Sequence, residues 1–135
     1  MSQCAELLFV NEAFYHAFQT RDVAAMEALW ARHVPVVCIH PGWRAMATRD
    51  EIMASWHGIL TSPDAPDIAC CGANGRLVGG VGVVVCYEQM DDRVLVATNL
   101  YIREEGAWKL IHHQAGPSNL TPGEVTDDPV GGRLQ

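Results

Sequence analysis

His40 closes the apolar run Val34-Pro35-Val36-Val37-Cys38-Ile39 and is followed at once by Pro41-Gly42-Trp43. An imidazole titrates near neutral pH, so at a strand end beside a cavity it can serve as base or acid. Pro41 holds the residue before it extended, and Gly42 permits a sharp reversal that brings Trp43 back beside the ring. Asn99 lies in Val94-Leu95-Val96-Ala97-Thr98-Asn99-Leu100-Tyr101. That run is too apolar to leave a carboxamide unpaired, because an unmet buried amide costs about 1–3 kcal/mol. His40, a ligand, a water or a cross-strand backbone group could meet the need. Period-two alternation puts Ala97 and Tyr101 on the side of Asn99. His112 and His113 point to opposite faces, so at most one of them enters a cavity. The adjacent Tyr87 and Glu88 divide in the same way.

His40, His112 and Glu88 could be combined into a metal site, but no local spacing supports one. No metal and no other cofactor is expected. Ser55 and His57 flank Trp56 without a matching Asp, which argues against a nucleophilic triad. Trp30 and Trp108 read as core. Trp43, at the turn, and Trp56, facing inward from a helix, suit a flat apolar ligand.

These side chains need elements to carry them. Leu7, Val10, Phe14 and Phe18 recur at helical spacing over residues 6–19. Asp22 can cap a shorter helix bearing Met26, Leu29 and Trp30. A strand is expected at 34–40. Thr48-Arg49-Asp50-Glu51 is a capping box, opening a helix with Ile52, Trp56, Ile59 and Leu60 on one face. The loop 61–67 follows. The period then changes, and residues 68–78, 81–90, 93–104 and 107–115 read as four β segments. Gly79-Gly80, Asp91-Asp92 and Glu104-Glu105-Gly106 are their connections. Three helices with one early strand, then an antiparallel meander, make an α+β order. A strongly curved sheet of this kind, folded around helices, leaves a conical cavity. From Pro117 onward no periodic core remains, and residues 118–135 are expected to be an extended or partly disordered tail.

The 135 residues suit one domain, here 1–117 with its tail. The net charge of -7 argues against a nucleic-acid or anionic-membrane surface. No run approaches the roughly 20 apolar residues of a membrane span. The first residues lack the basic region of a signal peptide, and a cytoplasmic location is expected. Five cysteines, at 4, 38, 70, 71 and 86, form no Cys-x-x-Cys pair and read as buried or free thiols.

The stretches "AFQTRDVAAMEALWA", "VCIHPGW", "SWHGIL", "ATNLYI" and "GAWKLIHHQAGP" together resemble the nuclear transport factor 2-like (NTF2-like) superfamily, in particular its SnoaL-like group. The chain also resembles the association domain of calcium/calmodulin-dependent kinase II. The resemblance runs over residues 5–117. It implies an α+β cone, with three N-terminal helices packed in a curved, mainly antiparallel sheet. Within the superfamily, the ketosteroid isomerase branch carries a carboxylate base before a proline at the end of the first strand. His40 holds that place here. The branch's hydrogen-bonding acid on the penultimate strand matches Asn99. Its tyrosine on the first helix matches Phe14, with Tyr15 next door pointing elsewhere. Ketosteroid isomerisation itself is not expected, because one strong oxyanion donor is missing.

The resemblance further implies that the Trp108 side of the last strand is concave. His112 and Gln114 then enter the cavity, and His113 lies at a rim or dimer surface. It also places Tyr87, rather than Glu88, against the cavity. The expected site therefore pairs His40 as base with Asn99 as electrostatic partner. Phe14, Trp43, Trp56, Tyr87, Tyr101, His112 and Gln114 would hold the ligand. The expected function is binding of a small apolar organic molecule, with isomerase, cyclase or hydrolase chemistry at His40. The alternative is a non-catalytic assembly module. With Asn99 inside, the outer face carries Thr98, Leu100 and Ile102, apolar enough to predict a homodimer through that face.

Overall fold

The computed structural model describes residues 2–125 of the chain. Ser2 caps the first helix, α1 (Gln3–Gln19), by accepting from the Ala5 amide at 3.0 Å. Its buried stripe is Leu7, Asn11, Phe14, Tyr15 and Phe18. Those spacings of four, three, one and three residues keep one side of a 3.6-residue helix facing inward. Asp22 caps α2 (Val23–Leu29) through the Ala25 amide at 3.0 Å. Thr48 caps α3 (Arg49–Thr61), accepting from the Glu51 amide at 3.2 Å, as the capping box predicts. The Glu51 carboxylate reaches Arg44 at 2.8 Å.

Five strands form one sheet: β1 (Val37–Ile39), β2 (Ala69–Val78), β3 (Val81–Gln89), β4 (Val94–Glu104) and β5 (Ala107–Pro117). Their order is β1-β5-β4-β3-β2, with β1 parallel to β5 and every other pair antiparallel. The expected strand 34–40 shortens to three residues; Pro35 and Pro41 offer no N–H for a ladder. The β4–β5 hairpin turns through Glu105 (φ 56°) and Gly106 (φ 83°). Two left-handed residues in a row match the right-handed twist of the flanking strands.

Two irregularities bend the sheet. In β2 the register shifts between Cys71 and Asn74, where Gly72 has φ 63°. In β5, Tyr101 pairs with Leu110 but Leu100 pairs with His112, so Ile111 is an extra residue. The helices cover the concave face, and the core runs from Leu7 and Tyr101 through Leu110, Ile52 and Trp30. Ser118 donates to the Val94 carbonyl at 2.7 Å, and the Gly123 amide donates to Gln89 Oε1 at 3.1 Å. The tail is thus followed along the sheet as far as residue 125. The rest of the expected tail, 126–135, lies outside the described residues. No described helix is long and apolar enough to cross a membrane.

Candidate functional site

The open end of the cone holds a cavity of about 260 Å³. Phe14 and Phe18 of α1, Trp56 and Ile59 of α3, and Ile68, Met90 and Leu95 form its apolar wall. His40, Glu88 and His113 are the buried ionisable groups among its lining residues, and Arg93 lines it as an exposed cation paired with Asp92 at 3.2 Å.

Local sequence explains the position of His40. Its carbonyl accepts from the Trp43 amide at 2.9 Å, and Gly42 at φ 82° occupies the third position of that turn. Proline second and a left-handed glycine third are what a type II turn demands. The turn swings Trp43 back edge-on to the imidazole, 4.8 Å between centroids, while Trp56 packs on it at 4.7 Å. Trp43 remains half exposed at the mouth. The Ser55 hydroxyl donates to the Ile52 carbonyl at 2.7 Å. Its single proton is therefore committed, and its oxygen accepts from His40 Nε2–H at 2.9 Å. The lone pair of His40 is then on Nδ1.

Deeper in the cone, polar side chains form a directed chain. Tyr101 O–H donates to Asn11 Oδ1 at 2.8 Å, and Asn99 Nδ2 donates to the same oxygen at 3.0 Å. That orients the Asn99 amide, whose Oδ1 accepts from His113 Nδ1–H at 2.6 Å. Asn99 Nδ2 also lies 3.3 Å from the Tyr15 hydroxyl, which donates to Glu88 Oε2 at 2.7 Å. With Nδ1 carrying the hydrogen, His113 keeps its lone pair on Nε2, 3.9 Å from Glu88 Oε2.

Burial sets the charges. It pushes the Glu88 carboxyl up to about 7, against a smaller downward pull from the Tyr15 hydrogen bond. It pulls His40 down to about 4. It pulls His113 to about 3, with His40 and His112 adding to the shift. Both imidazoles are neutral at pH 7, so the His113–Glu88 approach is not an ion pair. Glu88 is the group poised to exchange a proton near neutrality.

Several expected positions are corrected. His112 and Gln114 do not enter the cavity. The extra residue at Ile111 reverses the alternation of β5, so Trp108 and Leu110 are buried before it and His113 and Ala115 after it. Gln114 is exposed, and His113, expected at a rim, is buried. Tyr87 faces the outer side, and Glu88, only 3% exposed, faces inward with Val84 and Cys86. Both faces of Val83-Val84-Val85 are apolar, so alternation alone carried no phase there. The marker was Gly82, on the same parity as Glu88, where a Cβ would lie 2.6 Å from Leu7 Cδ1. Tyr15 does not point away either; it is buried beside Phe14 at 4.9 Å.

Phe14, Trp43, Trp56 and His40 do line the cavity. Asn99 and Tyr101 are buried on the same inner side but one layer behind, bonded to His113 and Asn11. Asn11 and Tyr15 escaped the sequence reading. Their signal was the run Leu7, Asn11, Tyr15 at intervals of four, masked by the polar Asn11. His40, His112 and Glu88 are not brought together, since His112 is on the other face.

The SnoaL-like domain family matches residues 8–117. A crystal structure of a candidate dehydratase from the NTF2-like family of Streptomyces avermitilis superposes with a TM-score of 0.77 at 26% identity, covering 87% of this chain and 96% of that one. A candidate calcium/calmodulin-dependent protein kinase type II association domain from Thiobacillus denitrificans gives 0.71 at 26%, covering 82% and 93%. A cystatin-like fold protein from Caulobacter vibrioides gives 0.76 at 16% identity, covering 85% and 89%, and shares the fold alone. The F-box protein SKIP8 of Arabidopsis thaliana is 23% identical over 111 residues, 81% of this chain and 48% of the relative. The chain thus spans about half the length of that curated relative. A cone built on these elements, matched over most of its length, places the chain in the SnoaL-like family of the NTF2-like superfamily, whose members bind small molecules and are often enzymes.

Proposed function

We propose that the chain binds a small, mostly apolar organic molecule in the cone and moves a proton on it, as an isomerase, cyclase or hydrolase does. The observation that carries this reading is the placement of His40, Glu88 and His113, all buried, at the wall of one aromatic cavity of about 260 Å³. A packed core has no use for three ionisable groups around a space. The volume falls below the roughly 300–1,000 Å³ of sites for drug-sized ligands, which favours a one- or two-ring molecule.

In this reading His40 is the base, through Nδ1. The electrostatic role expected of Asn99 passes to Glu88, because Asn99 is occupied by His113. A protonated Glu88 donates to the ligand at and below neutral pH, as a neutral buried acid does in an oxyanion hole. Native mass spectrometry of the purified chain should reveal a co-purifying small molecule that His40→Ala loses. Finding none, with tryptophan fluorescence indifferent to a panel of one- and two-ring compounds, would favour the assembly-module reading.

We also propose a homodimer through the outer sheet face. Val83, Val85 and Tyr87 of β3 and Val96, Thr98, Leu100 and Ile102 of β4 alternate with the buried positions there, and all are at least partly exposed in the single chain. Sedimentation at micromolar concentration should give twice the chain mass, and a stable monomer would sink the proposal. The described residues contain no disulfide, which suits the reducing cytoplasm, where we place the protein.

A further inference from the structure

We infer that the gap between the Glu88 carboxyl and His113 Nε2 is a subsite for a hydroxyl group carried by the apolar ligand. The inference rests on the cavity being a ligand site and adds what the ligand must present there. Three hydrogen bonds decide the polarity of the gap. Tyr101 and Asn99 both donate to Asn11 Oδ1, so the Asn99 amide cannot be turned round without setting two acceptors face to face. Asn99 Oδ1 then faces His113 Nδ1 and requires the hydrogen there. His113 Nε2 is left as an acceptor, and the ring around it is buried at the cavity wall.

On the other side, Tyr15 donates to Glu88 Oε2, which leaves Oε1 as the oxygen to carry the carboxyl hydrogen. Burial keeps that hydrogen on Glu88 up to about pH 7. The gap is therefore bounded by a donor and an acceptor. Nε2 stands 3.9 Å from Oε2, the oxygen that already accepts from Tyr15, so the carboxyl and the imidazole do not bond each other. A ligand oxygen at the cavity wall would accept from the Oε1 hydroxyl and reach Nε2, each at about 2.7–3.0 Å.

A hydroxyl accepts from the carboxyl and donates to Nε2, so it satisfies both. A carbonyl or an ether oxygen can accept but would set its lone pairs against that of Nε2. A carboxylate would meet the same conflict and would be buried as a charge in an aromatic cavity. An ammonium could donate to Nε2, but it has no lone pair to accept from the Glu88 carboxyl and would lose its own hydration. Phe14, 5.0 Å from the His113 ring, and Trp56, 6.0 Å from it, supply apolar walls for the carbon skeleton. Tyr15 and Asn99 are positioning residues here, acting through Glu88 and His113 rather than on the ligand.

The test uses the full chain labelled with ¹⁵N-histidine at pH 6, titrated with phenol, anisole, toluene and benzylamine. Before any addition, the His113 nitrogens should report the Nδ1–H tautomer. Phenol should bind about tenfold tighter than anisole, the worth of the added hydrogen bond to Nε2, and tighter still than toluene, and should move the Nε2 resonance. Glu88→Leu should lower the phenol-to-toluene ratio about tenfold, since the bond from the carboxyl is lost while the one to Nε2 remains, and Asn99→Ala should also release the tautomer. If Asn99→Ala does not fold, Glu88→Leu and the wild-type tautomer still decide the matter. An Nε2–H tautomer in the wild type overturns the subsite. So does equal binding of phenol and toluene, although the cavity would then stand as a ligand site. Benzylamine outbinding phenol overturns it in favour of a cation. If none of the four compounds binds, the cavity reading falls as well.

Discussion

The two ends of the cone treat the same helix differently. At the closed end α1 lies so close to β3 that a methyl on Gly82 would sit 2.6 Å from Leu7 Cδ1. At the open end the same helix contributes Phe14 and Phe18 to the wall of a cavity of about 260 Å³. The closed end is made of small and aliphatic side chains in full contact, and its polar atoms on Asn11, Asn99 and Tyr101 all find partners. At the open end the ionisable groups stand next to empty space. Stability resides at the closed end, and room for chemistry remains at the open one. Close packing supplies the first, and an incompletely filled aromatic wall permits the second.

The largest effect should come from the closed end. Leu7→Ala removes a fully buried side chain at the tightest contact and should cost about 2–5 kcal/mol in urea unfolding. A loss below about 1 kcal/mol would mean that this end is no better packed than the mouth.

Acid should act chiefly through the open end. His40 and His113, at about 4 and 3 in the folded chain, lie below the ordinary 6.5. The stability they carry is complete above pH 6.5 and is lost as pH falls toward the folded values. Glu88, at about 7, lies above its ordinary 4.5. Its burial penalty is full above pH 7 and relieved as pH falls to 4.5. Between 4.5 and 6.5 the two imidazole protons oppose one carboxyl proton, so stability should fall by at least about 1.4 kcal/mol per pH unit, and His112, also pulled down by burial, adds to the fall. Glu88→Gln should roughly double that slope, because the opposing proton is gone. A wild-type stability that is flat or rising between pH 6.5 and 5 would show that the histidines are hydrated.

Gly82→Ala should cost about 1–3 kcal/mol by overpacking. Combined with Leu7→Ala, its cost should largely vanish, because the added methyl then has room. Strict additivity in that double-mutant cycle would place the strain elsewhere.

His40→Ala should have the smallest effect on stability, no more than about 0.5–1.5 kcal/mol for the hydrogen bond to Ser55. It should nevertheless abolish the co-purification of ligand. A large drop in melting temperature with unchanged ligand would make His40 a structural strand-end residue.

Much of this architecture could be read in advance, for local reasons. Helix caps at Asp22 and Thr48, the Pro41-Gly42 turn and the four long strands each depend on residues close in sequence, whose backbone preferences act without distant partners. His40 could be read for the same reason: a proline fixes it at a strand end and a turn returns Trp43 to it. The inward residues of β3 and β5 could not. Val83-Val84-Val85 offers two apolar faces, and only the approach of Leu7 to Gly82 selects the phase that buries Glu88. In β5 the single extra residue at Ile111 passes the inward position from His112 to His113. A bulge answers to the curvature of the whole sheet, which no short window of sequence contains. Sequence alone therefore determined the fold and the strand end that holds His40. Which carboxylate and which second histidine meet His40 was decided only when β4, β5 and α1 closed around one another, because side-chain facing depends on register and register is a tertiary property.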